Sequence, residues 1–278
     1  MQKVLKWWQN YKYRFVPYLI WKLKDRTIKY IPKENSSTEG LQVKENEICN
    51  TLKELFYRLD TAVKKIDIRK YRRNYDSESL AMDSQAASMI MMNVCGFTIA
   101  RKETKDKGIG VYVSDGYIPP GKVVALYPGT IYQSHDSMLF QSIRNSFMFR
   151  CVDGTIIDGK DHGISKAVYM SCTKRDILGH HILNDITWLT SNPVNPMAIG
   201  QYINNQSKNS PANVIYHEIN FPEDLPLTLY RFIPNVYFRN LTYEEEMGTR
   251  KIRMVILIST HPIMKGEELR SSYFTVIT

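Results

Sequence analysis

The sequence predicts a mixed α+β protein, mainly β, in which a helical region leads into a domain of small β-sheets. Three observations carry this. Before residue 94, apolar residues recur at helical spacing. From Cys95 onward the chain breaks into short strand-like runs punctuated by Gly, Pro and Asp. Strands do not alternate with long helical patterns, as a parallel α/β sheet would require. At 278 residues, 43% hydrophobic and 23% charged, the chain is long enough and apolar enough to bury a sizeable core.

The first elements are basic. Residues 1–94 hold 18 of the 37 Lys and Arg but only 11 of the 28 Asp and Glu, so most of the net charge of +9 sits there. Residues 1–33 form a basic aromatic segment, with Trp7, Trp8, Tyr11, Tyr13, Phe15, Tyr18 and Trp21 interleaved with lysines and no acid before Asp25. Three roles fit it: an organelle-targeting segment, a surface for membranes or acidic partners, or a helix covering the main domain. Residues 34–94 then read as a linker and a helical region. The polar stretch 34–47 is the linker. A helix follows, because Leu52, Leu55, Phe56, Leu59, Val63 and Ile66 fall on one face. A second helix is expected over 77–93, with Leu80, Ser84, Ala87 and Met91 aligned; its Met89-Ile-Met-Met92 run reads as core filler.

Residues 95–278 carry the β pattern. Phe97–Ile99 and Gly110–Val113 are expected strands, Tyr117–Gly121 a tight reversal, and Lys122–Tyr127 a strand ended by Pro128-Gly129. Phe147–Phe149 and Thr155–Ile157 should pair as a hairpin across Asp153-Gly154. Met254–Ile258 and Leu269–Tyr273 close the series. Two stretches, near 160–197 and 217–248, lack strand patterns and read as insertions suited to recognition.

Composition also excludes. No apolar run approaches the roughly 20 residues of a transmembrane helix. The four cysteines never fall at C-x-x-C spacing, so no metal site is expected and the thiols should be free. The near-neutral C-terminal part gives no reason to expect direct nucleic-acid binding. His180-His181 reads as a loop pair and Glu244–Glu246 as a solvated run. With no signal-peptide pattern, the expected location is intracellular, nucleus or cytoplasm ahead of mitochondrion.

The motifs point further. Gly108-x-Gly110-Val111 is by itself an ordinary turn, and it fails the dinucleotide fingerprint because Val113 stands at the third glycine. It is followed in order by Ile118-Pro-x-Gly121, Tyr127-x-Gly129, Ile157-Asp158-Gly159, Tyr202-Ile-Asn-Asn205, and Gly266-Glu-Glu-Leu269 with Tyr273. This ordered series resembles the SET domain of protein lysine methyltransferases. Tyr127-Pro-Gly-Thr-Ile-Tyr132, Phe149-Arg-Cys-Val-Asp-Gly154, Gly200-Gln-Tyr-Ile-Asn-Asn205 and Tyr11-Lys-Tyr-Arg-Phe-Val-Pro17 narrow the resemblance to one branch of that family.

The resemblance implies small sheets with a C-terminal pseudoknot that sets Asn204-Asn205 beside the Gly266–Tyr273 segment. It implies S-adenosyl-L-methionine as cofactor and, as partner, a protein substrate presenting a lysine. Cofactor-binding residues would be Gly108, Gly110, Tyr202, Asn204, Asn205 and Tyr273; Tyr273 is also the catalytic candidate, and Tyr127 would stand in the site wall. The chain departs from the pattern at Asn205, where the family has His, at Gln206–Asn213, at Ser272 and at Thr130. No cysteine-rich module follows within the sequence, so one of the two insertions is expected to close the lysine channel. The departures at 205–213 leave a second reading open, a non-catalytic scaffold that binds cofactor or peptide.

Overall fold

A computed structural model of the chain describes residues 45–65, 84–104, 108–143, 145–178, 181–207, 210–221, 225–239 and 252–272. The basic segment 1–33, Ile66, Leu80, His180, Glu244–Glu246 and Tyr273 lie outside the described residues.

Helix α1 (Glu45–Lys65) begins earlier than the linker reading allowed: Glu45 and Glu47 form its first turn, where acids complement the helix dipole. Leu52, Leu55, Phe56, Leu59 and Val63 are buried as the spacing predicts, joined by Ile48. The ring of Phe56 meets Phe221 and Phe232 at 6.0 and 5.9 Å. Asp60, buried on the same helix, pairs with Arg231 of the turn Leu227–Phe232. Helix α2 (Ser84–Cys95) runs two residues past the expected end, the expected stretch 77–83 lying outside the described residues, and it buries Ala87 and Met91; Met89, by contrast, faces solvent.

Strands β1 (Phe97–Thr104) and β2 (Gly108–Gly116) form an antiparallel ribbon. Strand β3 (Val123–Tyr127) enters a five-stranded sheet with β7 (Asn204–Asn205), β8 (Val214–Phe221), β10 (Ile252–Ser259) and β11 (Arg270–Ser271), in the order β3-β10-β8-β11-β7. There β10 lies between β3 and β8, and all of it except Arg253 is buried, as an apolar strand between neighbours requires. It pairs antiparallel with β3 and with β8 (Val214–Phe221).

The Pro128-Gly129 corner passes the chain into a four-stranded sheet. Only glycine serves at 129: its φ is +143°, and a Cβ there would lie 2.2 Å from the Asp158 carbonyl oxygen. In this sheet β4 (Gly129–Tyr132) lies between β6 (Ile156–Asp158) and β9 (Asn235–Tyr237). The expected hairpin of β5 (Met148–Arg150) and β6 is present. Helix α3 (Leu139–Ser142) lies between β4 and β5.

Of the two stretches read as strandless, the first holds no named strand among its described residues, but it does hold helix α4 (Gly163–Arg175); the reading of the second is corrected. The second contains the end of β8 and the whole of β9. One apolar core takes in α1, α2, β1, β2, β3, β8 and β10, so the helices are packed into the same interior as the sheets. A second cluster, Tyr169, Cys172, Ile186, Trp188, Leu189, Ala198 and Val236, lies under α4. No helix among the described residues is long and apolar enough to cross a membrane.

Candidate functional site

Two short strands define the site. β7 (Asn204–Asn205) and β11 (Arg270–Ser271) pair in parallel, Asn204 opposite Arg270 and Asn205 opposite Ser271. Segments 66 residues apart are thereby joined. Further bonds hold the junction: Gln206 N donates to the Ser271 carbonyl at 2.8 Å, and Asn213 N to the Arg270 carbonyl at 2.9 Å. The Asn213 side chain adds two more, Nδ2 to the Glu268 carbonyl at 2.9 Å and Arg270 N to Oδ1 at 2.8 Å. The altered stretch 206–213 thus still clasps the strand that leads toward Tyr273. Gln206 Nε2 also reaches Ser272 Oγ at 3.3 Å, so two departures from the family pattern contact each other.

Onto this junction the ribbon folds its glycines. A Cβ on Gly110 would lie 2.8 Å from Glu268 Oε1, 3.1 Å from Asn204 Nδ2 and 3.2 Å from the Tyr112 ring. A side chain at 110 would have to displace these side-chain ends, so the constraint there is close approach rather than backbone twist. Asn204 Nδ2 donates to Glu268 Oε1 at 2.9 Å and to the Ile109 carbonyl at 3.3 Å. Glu268 also pairs with Arg270, the two side chains being only 9% and 10% exposed. The phenol of Tyr112 is pushed up by burial and by the Glu268 carboxylate beside it. Gly108, at the start of β2, has φ +74°.

Tyr202 belongs to the same region but points elsewhere. Its hydroxyl donates to Asp161 Oδ2, and the Arg101 guanidinium lies over its ring at 5.0 Å. Burial pushes the Asp161 carboxyl up, but hydrogen bonds from His162 and Tyr202 and the charges of His162 and Arg101 outweigh it and hold it below the ordinary carboxylate range. Arg101 is in turn fixed by donating to the Thr190 carbonyl at 2.8 Å.

Next to Tyr202 stands an aromatic wall. Phe147 meets the Tyr202 ring edge-on at 5.8 Å, and Tyr127 donates its hydroxyl to the Phe147 carbonyl at 2.8 Å. The Tyr127 ring meets Phe149 at 5.4 Å and Tyr216 at 6.3 Å, while Phe149 and Tyr216 are 4.9 Å apart. Ser271 Oγ donates to Tyr216 Oη at 3.2 Å, which ties the wall to the strand junction.

The structure therefore brings together Gly110, Asn204, Asn205 and Tyr127 from the sequence-derived set, with Gly108 at the ribbon's edge and Tyr202 facing Asp161. Sequence reading passed over Glu268, Tyr112, Asp161, Arg101, Phe149 and Tyr216. Glu268 lay inside a quoted motif, and Asp161 follows Asp158-Gly159 by two residues. Phe149 opened a quoted motif and lay on an expected strand without being assigned to the site, and Tyr216 carried no signal, since no strand was expected there. Among the described residues, one grouping has metal-ligand character, Cys151, Asp153 and Glu218. Its acids are already engaged: Arg253 pairs with both, and Glu218 Oε1 accepts from Val152 N at 2.8 Å.

No family model matches the chain. Two curated relatives do. SET domain-containing protein 9 of Homo sapiens is 35% identical over an alignment of 297 residues that covers 98% of this chain and 96% of that protein. The protein of the same name from Pongo abelii is 44% identical over 191 residues, 68% of each chain. Among solved structures, KRYPTONITE matches in complex with mCHH DNA, an H3(1-15) peptide and SAH, and in complex with mCHG DNA and SAH. Each match has a TM-score of 0.33 and 14% identity over 65% of this chain, which spans only 24% of theirs. On the near full-length identity to the human protein, and on the motif order that the strand junction assembles, the chain belongs to the family of SET domain-containing protein 9.

Proposed function

We propose that the protein is an S-adenosylmethionine-dependent protein-lysine methyltransferase. The observation that carries this reading is the closed approach of Gly110 to Asn204 and Glu268 across the β7–β11 junction. Three motifs far apart in sequence converge there and set an amide and a carboxylate against the glycine backbone. That donor set fits a zwitterionic cofactor. The backbone at Gly108 and Gly110, with Asn204, Asn205 and Tyr202, would hold it. When bound, it supplies an electrophilic methyl group on a sulfonium.

The chain's own residues must deliver a neutral amine. A free lysine, with a pKa of about 10.4, arrives as ammonium. Rings such as Tyr127, Phe149 and Tyr216 first attract that cation through their faces. They also keep it from water, which lowers its pKa and favours loss of the proton. Most of the acceleration then comes from placement, about 7–11 kcal/mol for a well-aligned pair. Tyr273 would orient the amine.

The alternative is a scaffold that binds cofactor or peptide without transfer, and the departures at 205–213 favour it. Transfer of labelled methyl groups to proteins of a cell extract separates the two. The methyltransferase reading expects labelling by wild type and a loss of about 10²–10³ in Tyr273→Phe, with cofactor affinity nearly unchanged. Equal labelling by the variant would overturn the role of Tyr273. Cofactor binding without labelling of any protein would favour the scaffold.

A further inference from the structure

Phe147 lies between helix α3 and strand β5, outside both, yet its backbone is bonded at each end. Its N donates to Asn145 Oδ1 at 2.9 Å, a turn that the amide side chain closes on its own chain two residues on. Its carbonyl oxygen accepts twice, from Tyr127 Oη at 2.8 Å and from Gly159 N at 2.9 Å. The Tyr127 ring also comes against backbone at Gly159. A Cβ there would lie 2.9 Å from the ring's Cε1 and 3.0 Å from the Pro128 carbonyl oxygen.

Asn145 is itself anchored from β6, α3 and α4. It is 2% exposed. Its Nδ2 donates to Asp158 Oδ1 at 2.7 Å and to the Gln141 carbonyl at 2.9 Å, and lies 3.4 Å from Ser165 Oγ. Asp158, 1% exposed, accepts at the same oxygen from Lys160 N at 3.2 Å. Moving such an amide would strand polar groups away from water, so the network fixes one geometry. At its far end stand two rings of the aromatic wall and its border: Tyr127, whose hydroxyl rests on the Phe147 carbonyl, and Tyr202, which Phe147 meets edge-on at 5.8 Å.

We propose that Asn145, backed by Asp158, is a positioning residue of the site: it sets the Phe147 backbone and, through it, the Tyr127 hydroxyl and the packing of Tyr202. This rests on the reading of the site as a lysine methyltransferase. There the placement of the amine supplies most of the acceleration, and a misplacement of about 1 Å costs about 10²-fold.

The test has two arms. In the first, the full chain is labelled with carbon-13 at tyrosine Cζ, and the Tyr127 resonance is assigned by its absence from Tyr127→Phe. It is expected to shift in Asn145→Ala. It should shift less in Asn145→Ser, whose hydroxyl still accepts from the amide two residues on. In the second arm, the same proteins transfer labelled methyl groups to a cell extract at saturating S-adenosylmethionine. Asn145→Ala should lose about tenfold to a hundredfold of the transfer, and Asn145→Ser less. Affinity for S-adenosylhomocysteine should be nearly unchanged in both.

An unmoved Tyr127 resonance in folded Asn145→Ala overturns the proposal. So does a shifted resonance with full transfer, or a loss of transfer matched by an equal loss of cofactor affinity, the mark of a merely structural role. If the variants do not fold, hydrogen exchange in wild type decides: the Phe147 amide should be protected like those of β6, and exchange at the rate of an exposed loop overturns the proposal. No transfer by wild type sinks the methyltransferase reading, and the carbon resonance still decides whether Asn145 sets Tyr127.

Discussion

Asn204 and Glu268, 64 residues apart in the chain, share a 2.9 Å hydrogen bond directly against Gly110. The carboxylate that accepts it is simultaneously paired with Arg270, and both members of that pair are nine-tenths buried. Glu268→Gln would leave the Arg270 cation buried without its counter-charge. The expected loss of stability is about 3–5 kcal/mol, the range for breaking a buried pair on one side. Adding Arg270→Met should recover most of it. A double-mutant cycle by urea unfolding measures both, and a loss under 1 kcal/mol (roughly the level of an exposed pair) would show that the pair is not held as described.

Helix α1 belongs to the same core as β10. Leu52→Ala is therefore expected to cost about 2–5 kcal/mol and to lower the stability of the whole domain in one transition. Far-ultraviolet dichroism and tryptophan fluorescence, followed against denaturant, should move together. A separate early transition for the helix, with the rest unmoved, would contradict the shared core.

The helix and the site were legible in the sequence to different degrees. The apolar stripe of α1 follows from period alone, since Leu52, Leu55, Phe56, Leu59 and Val63 need only one buried face. The β5–β6 hairpin follows from Asp153-Gly154, a local turn signal. Strand β9 had no such signal: Asn235–Tyr237 is three residues long, and it is a strand because β4 lies beside it in parallel, 106 residues away in the chain. The same holds for the site. Gly110 and Asn204 sit in motifs, but Asp161 meets Tyr202, and Phe149 meets Tyr216, through tertiary packing that no spacing encodes.

The Asp161–Tyr202 bond has a titration signature. Tyr202→Phe removes a donor that helps hold the Asp161 carboxyl below its ordinary range, so its pKa should rise in the variant. Carboxyl carbon shifts followed by NMR against pH read this directly. An unmoved Asp161 would mean that the hydrogen bond is absent in solution.

Asp185 gives the opposite sign. Fully buried, its carboxyl is pushed up to about 6 despite bonds from Thr187 and from the backbone at Asn195 and Trp188. The folded state therefore holds the proton more tightly than the unfolded chain, where the value is about 3.9. The stabilisation is complete below about pH 4 and is lost as pH rises through about 6. Relative to Asp185→Asn, wild type should lose roughly 2–3 kcal/mol between pH 4 and pH 7. Parallel stability curves for the two proteins across that window would refute it.

Calorimetric titration of the full chain with S-adenosylmethionine and S-adenosylhomocysteine, for wild type and Gly110→Val, tests the convergence of Gly110, Asn204 and Glu268 on which the proposed function rests. Wild type is predicted to bind both ligands. Gly110→Val, whose side chain must enter space held by Glu268, Asn204 and Tyr112, is predicted to stay folded and lose about tenfold or more in affinity. A folded wild type that gives no binding heat and no thermal stabilisation with either ligand at saturation would contradict the account, as would a variant that binds as tightly as wild type.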